Sequence, residues 1–140
     1  MKVQYVKIVI MKKVIVLGSS RSNGNTYKVA HELSQSQNID IVDLNDYAIS
    51  YYDYESQNID DDFLPLMEKL LAEYDTFIFA TPVYWYNMSG RMKVFFDRIS
   101  DLIKIKKELG RQLRGKSMYV ISSSEDNELD YDFYQPFRFS

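Results

Sequence analysis

The sequence predicts an α/β domain with a parallel sheet in the strand order 2-1-3-4, and three observations carry that expectation. Short apolar runs alternate with stretches of helical spacing along the chain. The first run, Val14 to Leu17, is apolar at every position, as in a parallel strand covered on both faces. The polar loop after the first run and the aromatic loop after the third are both unlike ordinary connections.

Taken in order, residues 1–10 (MKVQYVKIVI) read as an N-terminal extension with some β character, because Met11-Lys12-Lys13 looks like a second start ahead of the first strand. Their apolar part is too short for a membrane span and no small-residue cleavage site follows. Residues 11–140 are read as the domain. Strand one is 14–17. A small polar loop, 18–26, leads into a helix whose stripe is Thr26, Val29, Ala30 and Leu33. Strand two is 39–44. The connection 45–62 is long and tyrosine-rich, a length typical of functional loops. Asp61 or Asp62 can cap the next helix, with Pro65 in its first turn. Strand three is 76–80, stopped by Thr81-Pro82. From Ser89 a helix runs to about Ile103. The basic stretch 104–116 reads as a solvated turn broken by Gly110 and Gly115. Strand four is 117–122, and an acidic, then aromatic tail follows.

At 140 residues the chain is one domain with room for a core. Its net charge of −3 argues against a general nucleic-acid binder, which needs a basic surface. The absence of cysteine excludes disulfides and Cys-ligated metals. No residue spacing indicates a metal site, and Asp60 to Asp62 read as a capping and solvated cluster. A cytoplasmic protein without nucleic-acid or membrane partners is expected.

Right-handed crossovers place strands one and three side by side, with the chain leaving them in opposite directions. Ligands of open α/β sheets sit in the crevice at that switch point. The first loop, Gly18 to Thr26, offers hydroxyls, amides and Arg21 at a helix N-terminus, a place that suits a phosphate. It is neither a Walker loop nor G-x-G-x-x-G. A plain polar loop with capping residues is the alternative. The second, Thr81 to Ser89, offers Tyr84, Trp85 and Tyr86 beside backbone polar groups, which suits a flat heteroaromatic ring. Core or dimer-contact aromatics are the alternative there. Together the loops describe a seat for a mononucleotide with a large ring system.

The stretches Gly18-Ser-Ser-Arg-Ser-Asn-Gly-Asn-Thr26 and Thr81-Pro-Val-Tyr-Trp-Tyr-Asn-Met-Ser-Gly90, followed by Lys93 and Phe96-Asp97-Arg98, resemble the NAD(P)H-dependent FMN reductases, including relatives of iron–sulfur flavoproteins. The resemblance runs from about Met11 to Phe137. It implies a flavodoxin-like three-layer sandwich with FMN as cofactor and NADH or NADPH as cosubstrate. Ser19, Arg21, Asn23, Asn25 and Thr26 would hold the phosphate. Thr81, Pro82, Val83, Tyr84 and Trp85 would line the isoalloxazine, with Asn87 at its edge and Ser123 and Ser124 supplying a third loop. Tyr51, Tyr52 and Tyr54 are lid candidates, with packing on a neighbouring loop as the alternative. No cysteine cluster follows strand two, so no iron–sulfur centre is expected.

By the same resemblance, the usual fifth strand is expected to be missing or replaced. The exposed edge of strand four is therefore expected to be covered by the extension, the aromatic tail or a second subunit, in a homodimer or higher oligomer. The implied activity passes hydride from nicotinamide to flavin and electrons on to a small acceptor such as a quinone, nitro or azo compound or flavin, with no catalytic acid or base from the protein. The alternatives are a flavodoxin-type electron carrier and a truncated domain without flavin.

Overall fold

The computed structural model describes residue 4, residues 10–125 and residues 131–138. Apart from residues 4 and 10, the expected N-terminal extension lies outside them. The strands are β1 (Lys13–Leu17), β2 (Asp40–Asp43), β3 (Thr76–Tyr84), β4 (Asn87–Met88) and β5 (Ser117–Ser123). The helices are α1 (Asn25–Gln37), α2 (Phe63–Glu73), α3 (Gly90–Lys104), α4 (Lys107–Arg111) and α5 (Gln135–Arg138). The parallel ladder runs β2-β1-β3-β5, with β4 a short antiparallel addition to β3. The order expected from sequence is therefore met, its fourth strand being β5. Leu17 pairs with Asp43 on one side and Ala80 on the other, which fixes the switch point between the ends of β1 and β3.

Period-two side-chain alternation splits the core into two layers. On one face Ile15, Leu17, Ile78 and Ala80 pack with Ala30 of α1. On the other, Val14, Val16, Phe77 and Phe79 meet Leu70 and Leu71 of α2 and Met92 and Phe95 of α3. Both faces of β1 are thus shut, and Val14 to Leu17 have no exposed surface.

Two boundaries differ from the sequence reading. Strand three does not stop at Thr81-Pro82: β3 continues to Tyr84, with Pro82 opposite Ser123 near the end of the ladder, where a missing N–H is tolerated. The basic stretch is not a plain turn, since α4 forms within it and includes Gly110. A Cβ at Gly110 would lie 2.6 Å from the Leu102 carbonyl oxygen, so close packing on α3 accounts for that glycine. Gly115, at φ +79, is a turn as expected.

The aromatic tail packs on a face of the sheet and not along the edge where cover was expected: among the described residues β5 pairs only with β3. Phe133 and Phe137 are buried in the α2/α3 layer, with Phe137 edge-on to Phe96 at 5.5 Å. Tyr134 Oη lies 3.1 Å from Ser122 Oγ of β5. On the opposite face of β5 Tyr119 stays 63% exposed, so the tail covers one face of that strand.

The connection 45–62 is held down by a buried charge. Arg98 of α3 has no exposed surface, and its guanidinium reaches Asp61 at 2.5 and 3.1 Å, Asp101 at 2.7 Å and the Ser50 carbonyl at 3.0 Å. Phe63 lies under its face at 4.9 Å. Asp61 also accepts from the Phe63 amide at 3.0 Å, while Asp62 accepts from Ala48 N at 2.7 Å. Of the two expected caps, Asp61 is thus the one whose carboxylate meets the start of α2.

Burial pushes the Asp61 carboxyl up, but the bonds from Arg98 and from the Ser50 and Phe63 amides outweigh it and hold the group below its ordinary 3.8. The folded chain therefore binds fewer protons there than the unfolded chain. The resulting stability is whole above the ordinary value and is lost as pH falls through the folded one. Arg98→Ala should lower stability by about 3–5 kcal/mol, because buried Asp101 and half-buried Asp61 both lose their partner. Urea midpoints at pH 7 and at pH 3 provide the check: the gap between wild type and Arg98→Ala should narrow at the lower pH, and an unchanged gap would contradict the coupling.

Candidate functional site

Three loops meet at the carboxyl end of the sheet, and direct bonds join them. The Gly18 amide donates to the Ala80 carbonyl at 2.9 Å, carrying the ladder one step past β1. The Ser89 hydroxyl donates to the Gly18 carbonyl and accepts from Met92 N at 3.1 Å, so it caps α3 while anchoring the first loop. Ser89 N donates to Thr81 Oγ1 at 3.0 Å. The contact is close: a Cβ on Gly18 would lie 2.7 Å from Met92 Cε and 3.2 Å from Met92 Cα. Ser20 Oγ lies 3.3 Å from Tyr84 Oη, and Thr26 Oγ1 lies 2.6 Å from Ser123 Oγ. The first bridge joins loop 18–26 to the aromatic loop; the second joins it to the end of β5.

In the first loop, where an anion seat was expected, the start of α1 lacks a side-chain cap. Gly24 begins α1 without a side-chain cap, and the first intrahelical bond comes from Lys28 N to Gly24 O at 3.1 Å. Among the described residues, the amides of Asn25, Thr26 and Tyr27 therefore have no protein acceptor. These are the orphan donors of a helix start, at the positive end of its dipole. Arg21, Asn23 and Asn25 are exposed around them. Ser19 is buried and serves the loop itself: its Oγ accepts from Arg21 N at 3.4 Å and its carbonyl from Asn45 Nδ2 at 2.7 Å. Thr26 is also buried, its hydroxyl engaged with Ser123.

The second loop is a tight hairpin. Val83 pairs with Met88 and Tyr84 with Asn87, leaving Trp85 and Tyr86 as a two-residue turn with φ of 49 and 61. Such turns match the twist of the flanking strands and ordinarily carry Asn-Gly. Bulky side chains in that region are strained. Trp85 is nevertheless 94% exposed and Tyr86 79%, so no burial among the described residues repays the turn. Thr81 is buried, with its hydroxyl donating to the Pro82 carbonyl at 3.0 Å. Pro82 is buried, Val83 and Ser123 are half-buried, and Tyr84, Asn87 and Ser124 are exposed. Asn87 Oδ1 accepts from Met88 N at 2.8 Å.

The residues expected at the site thus split in two. Arg21, Asn23, Asn25, Tyr84, Trp85, Asn87 and Ser124 are exposed; Ser19, Thr26, Thr81 and Pro82 are buried in the frame, with Val83 and Ser123 half-buried beside them. Of the lid candidates, Tyr52 and Tyr54 pack edge-on at 5.1 Å with Lys104 Nζ over both rings, while Tyr51 is 80% exposed. The sequence reading missed Asn45, which also bonds Ser22 Oγ at 3.2 Å, and the joining role of Ser89. Position offered a signal for Asn45, the first polar residue past strand two. No group of His, Asp and Glu able to hold a metal occurs among the described residues. None of their helices is long and apolar enough to cross a membrane.

A family model described as NADPH-dependent FMN reductase matches residues 11–130. YwqN of Bacillus subtilis, provisionally named an NAD(P)H-dependent FMN-containing oxidoreductase, is 31% identical over 84% of this chain and 68% of its own length. An iron–sulfur flavoprotein of Archaeoglobus fulgidus is 30% identical over 64% of this chain, which spans about half of that relative, 46%. Among solved structures, the Trp repressor binding protein of Bacillus subtilis superposes with a TM-score of 0.70 at 29% identity, covering 91% of this chain and 77% of that one. An FMN-dependent NADH-azoreductase of Bacillus anthracis, solved with FMN, shares the fold at TM-score 0.61 and 15% identity, over 91% and 78% of the two chains.

Replacing Trp85-Tyr86 with Asn-Gly should stabilise the protein by about 1–2 kcal/mol, since both new residues accept positive φ readily. Urea unfolding monitored by far-ultraviolet circular dichroism measures this. A destabilised double variant would show that the aromatic turn is held by contacts of its own.

Proposed function

This chain belongs to the NADPH-dependent FMN reductase family, and from that premise we propose that it binds FMN in the groove between loop 18–26 and the Tyr84–Asn87 hairpin and oxidises NADH or NADPH. The observation that carries the proposal is the joining of those loops: Ser20 to Tyr84 at 3.3 Å, beside a helix start with orphan amides. A phosphate would take the amides of Asn25, Thr26 and Tyr27, with the Arg21 guanidinium and the Asn23 and Asn25 side chains around it. Ser19 and Thr26 hold the loop in shape through bonds of their own. The flat ring system would lie against the Tyr84–Trp85 side of the hairpin, where Trp85 offers an uncovered face. Ser123 positions Thr26, and Ser124 stands at the open end of that third loop.

When bound, FMN supplies the redox chemistry: it accepts a hydride from the nicotinamide and delivers two electrons to an acceptor such as a quinone, nitro or azo compound or flavin. The protein binds, orients and stabilises charge. Backbone donors around 81–89 would hold the edge of the ring system. No side-chain acid or base is required, which agrees with loops 18–26 and 81–89, whose ionisable groups are Arg21, Tyr84 and Tyr86. The exposed aromatics at Trp85, Tyr86 and Tyr51, together with the half-covered β5, support a homo-oligomer. A cytoplasmic site of action fits the nicotinamide supply.

Purified protein mixed with FMN should quench flavin fluorescence on a saturable isotherm and then oxidise NADH or NADPH steadily when a soluble quinone is added. Binding without turnover would make the chain a flavodoxin-type carrier; no quenching would refute the groove. Trp85→Ala should weaken FMN by several-fold, matching an aromatic pair of about 1 kcal/mol. Unchanged affinity would remove Trp85 from the ring site.

A further inference from the structure

A second cleft, of about 500 Å³, opens between the connection 45–62 and the start of α3. We propose that it is a binding site for an aromatic anion, a flat ring carrying a phosphate or sulfonate group, distinct from the groove between loop 18–26 and the hairpin. Its floor is apolar and closed: Leu44 is 1% exposed and Phe95 2%. Ile49 and Val94 form half-buried walls, Tyr51 stands at the rim with an exposed ring, and Arg91 supplies the charge.

Arg91 is suited to that role. It makes no ion pair among the described residues, and its Nη1 donates only to the Leu44 carbonyl at 3.3 Å. That bond holds the guanidinium at the cleft lining and, among the described residues, leaves the rest of its donor fork for an oxyanion. The facing wall is rigid. Ser50 is held at both ends, its amide by Asp61 at 2.9 Å and its carbonyl by buried Arg98 at 3.0 Å. The Tyr51 carbonyl accepts from Asn58 Nδ2 at 2.6 Å. A pre-formed cleft with an apolar floor, one aromatic face and one placed cation is the composition of a small-molecule site.

The cleft also touches the first loop through one short turn. Leu44 bonds Arg91, and its neighbour Asn45 bonds Ser19 and Ser22. A ligand in the cleft is therefore read out at loop 18–26 through neighbouring residues. Two sources provide an aromatic anion: the phosphorylated adenosine end of a dinucleotide cosubstrate, or an anionic planar electron acceptor.

Calorimetric titration of the flavin-free full chain tests the proposal without reliance on FMN binding. The probes are adenosine 2′,5′-bisphosphate, anthraquinone-2-sulfonate and, as a phosphate without a ring, ribose 5-phosphate. Saturable binding of the first or the second identifies the source, and ribose 5-phosphate should bind at least tenfold more weakly. Arg91→Gln, at an exposed position, should fold normally and weaken the bound probe at least tenfold, and Tyr51→Ala several-fold. The proposal is overturned if neither aromatic probe binds, if ribose 5-phosphate binds equally well, or if Arg91→Gln leaves affinity unchanged. Should FMN fail to bind while an aromatic probe does, the groove reading falls and the cleft stands.

Discussion

The Ser89 hydroxyl is the point on which the site depends. It donates to the Gly18 carbonyl and accepts from the Met92 amide, while the Ser89 amide reaches Thr81. One side chain thus caps α3, ties down the first loop and fixes the return of the hairpin. All of these groups are buried, where a hydrogen bond is costly to lose because no water replaces it. Gly18 makes the arrangement possible, since only a residue without Cβ fits against Met92.

From that knot outward, charge and shape follow position. The sheet carries its loops to one end because β1 and β3 are adjacent and parallel. The helix after β1 starts without a side-chain cap, so among the described residues its first amides have no side-chain acceptor. The hairpin after β3 holds aromatic residues in a backbone region they disfavour and gains no burial in return. Strain of this kind persists when the surrounding structure imposes it, and it clusters at functional sites. Farther along α3, Arg98 fixes the long connection from beneath, which shapes a second cleft beside the first groove.

Much of this was legible in the residues. The apolar runs located the parallel strands and their order, because a strand buried on both faces leaves a continuous signature. The small polar and aromatic loops stood out by composition, and their placement at one switch point followed from topology. The division of labour within the loops was not legible. Ser19, Thr26 and Thr81 carry hydroxyls suited to a ligand, yet their atoms serve the protein, and only long-range contacts such as Thr26 to Ser123 decide that. The hairpin was hidden because Pro82 reads as a strand breaker while it sits near the end of the ladder, and because Trp85-Tyr86 lacks the usual Asn-Gly of a tight turn. The burial of Arg98 was not legible either: its place on a helix is clear, but its partner Asp61 lies on another element.

The central claim is that an anion seat and a ring face belong to a single groove. Nuclear magnetic resonance titration with FMN tests it most directly, following the backbone amides of Asn25, Thr26 and Tyr27 together with the Trp85 indole N–H. Both sets of signals should shift along the same isotherm, saturating at one equivalent. Shifts confined to the amides, with the indole unmoved at saturation, would contradict it.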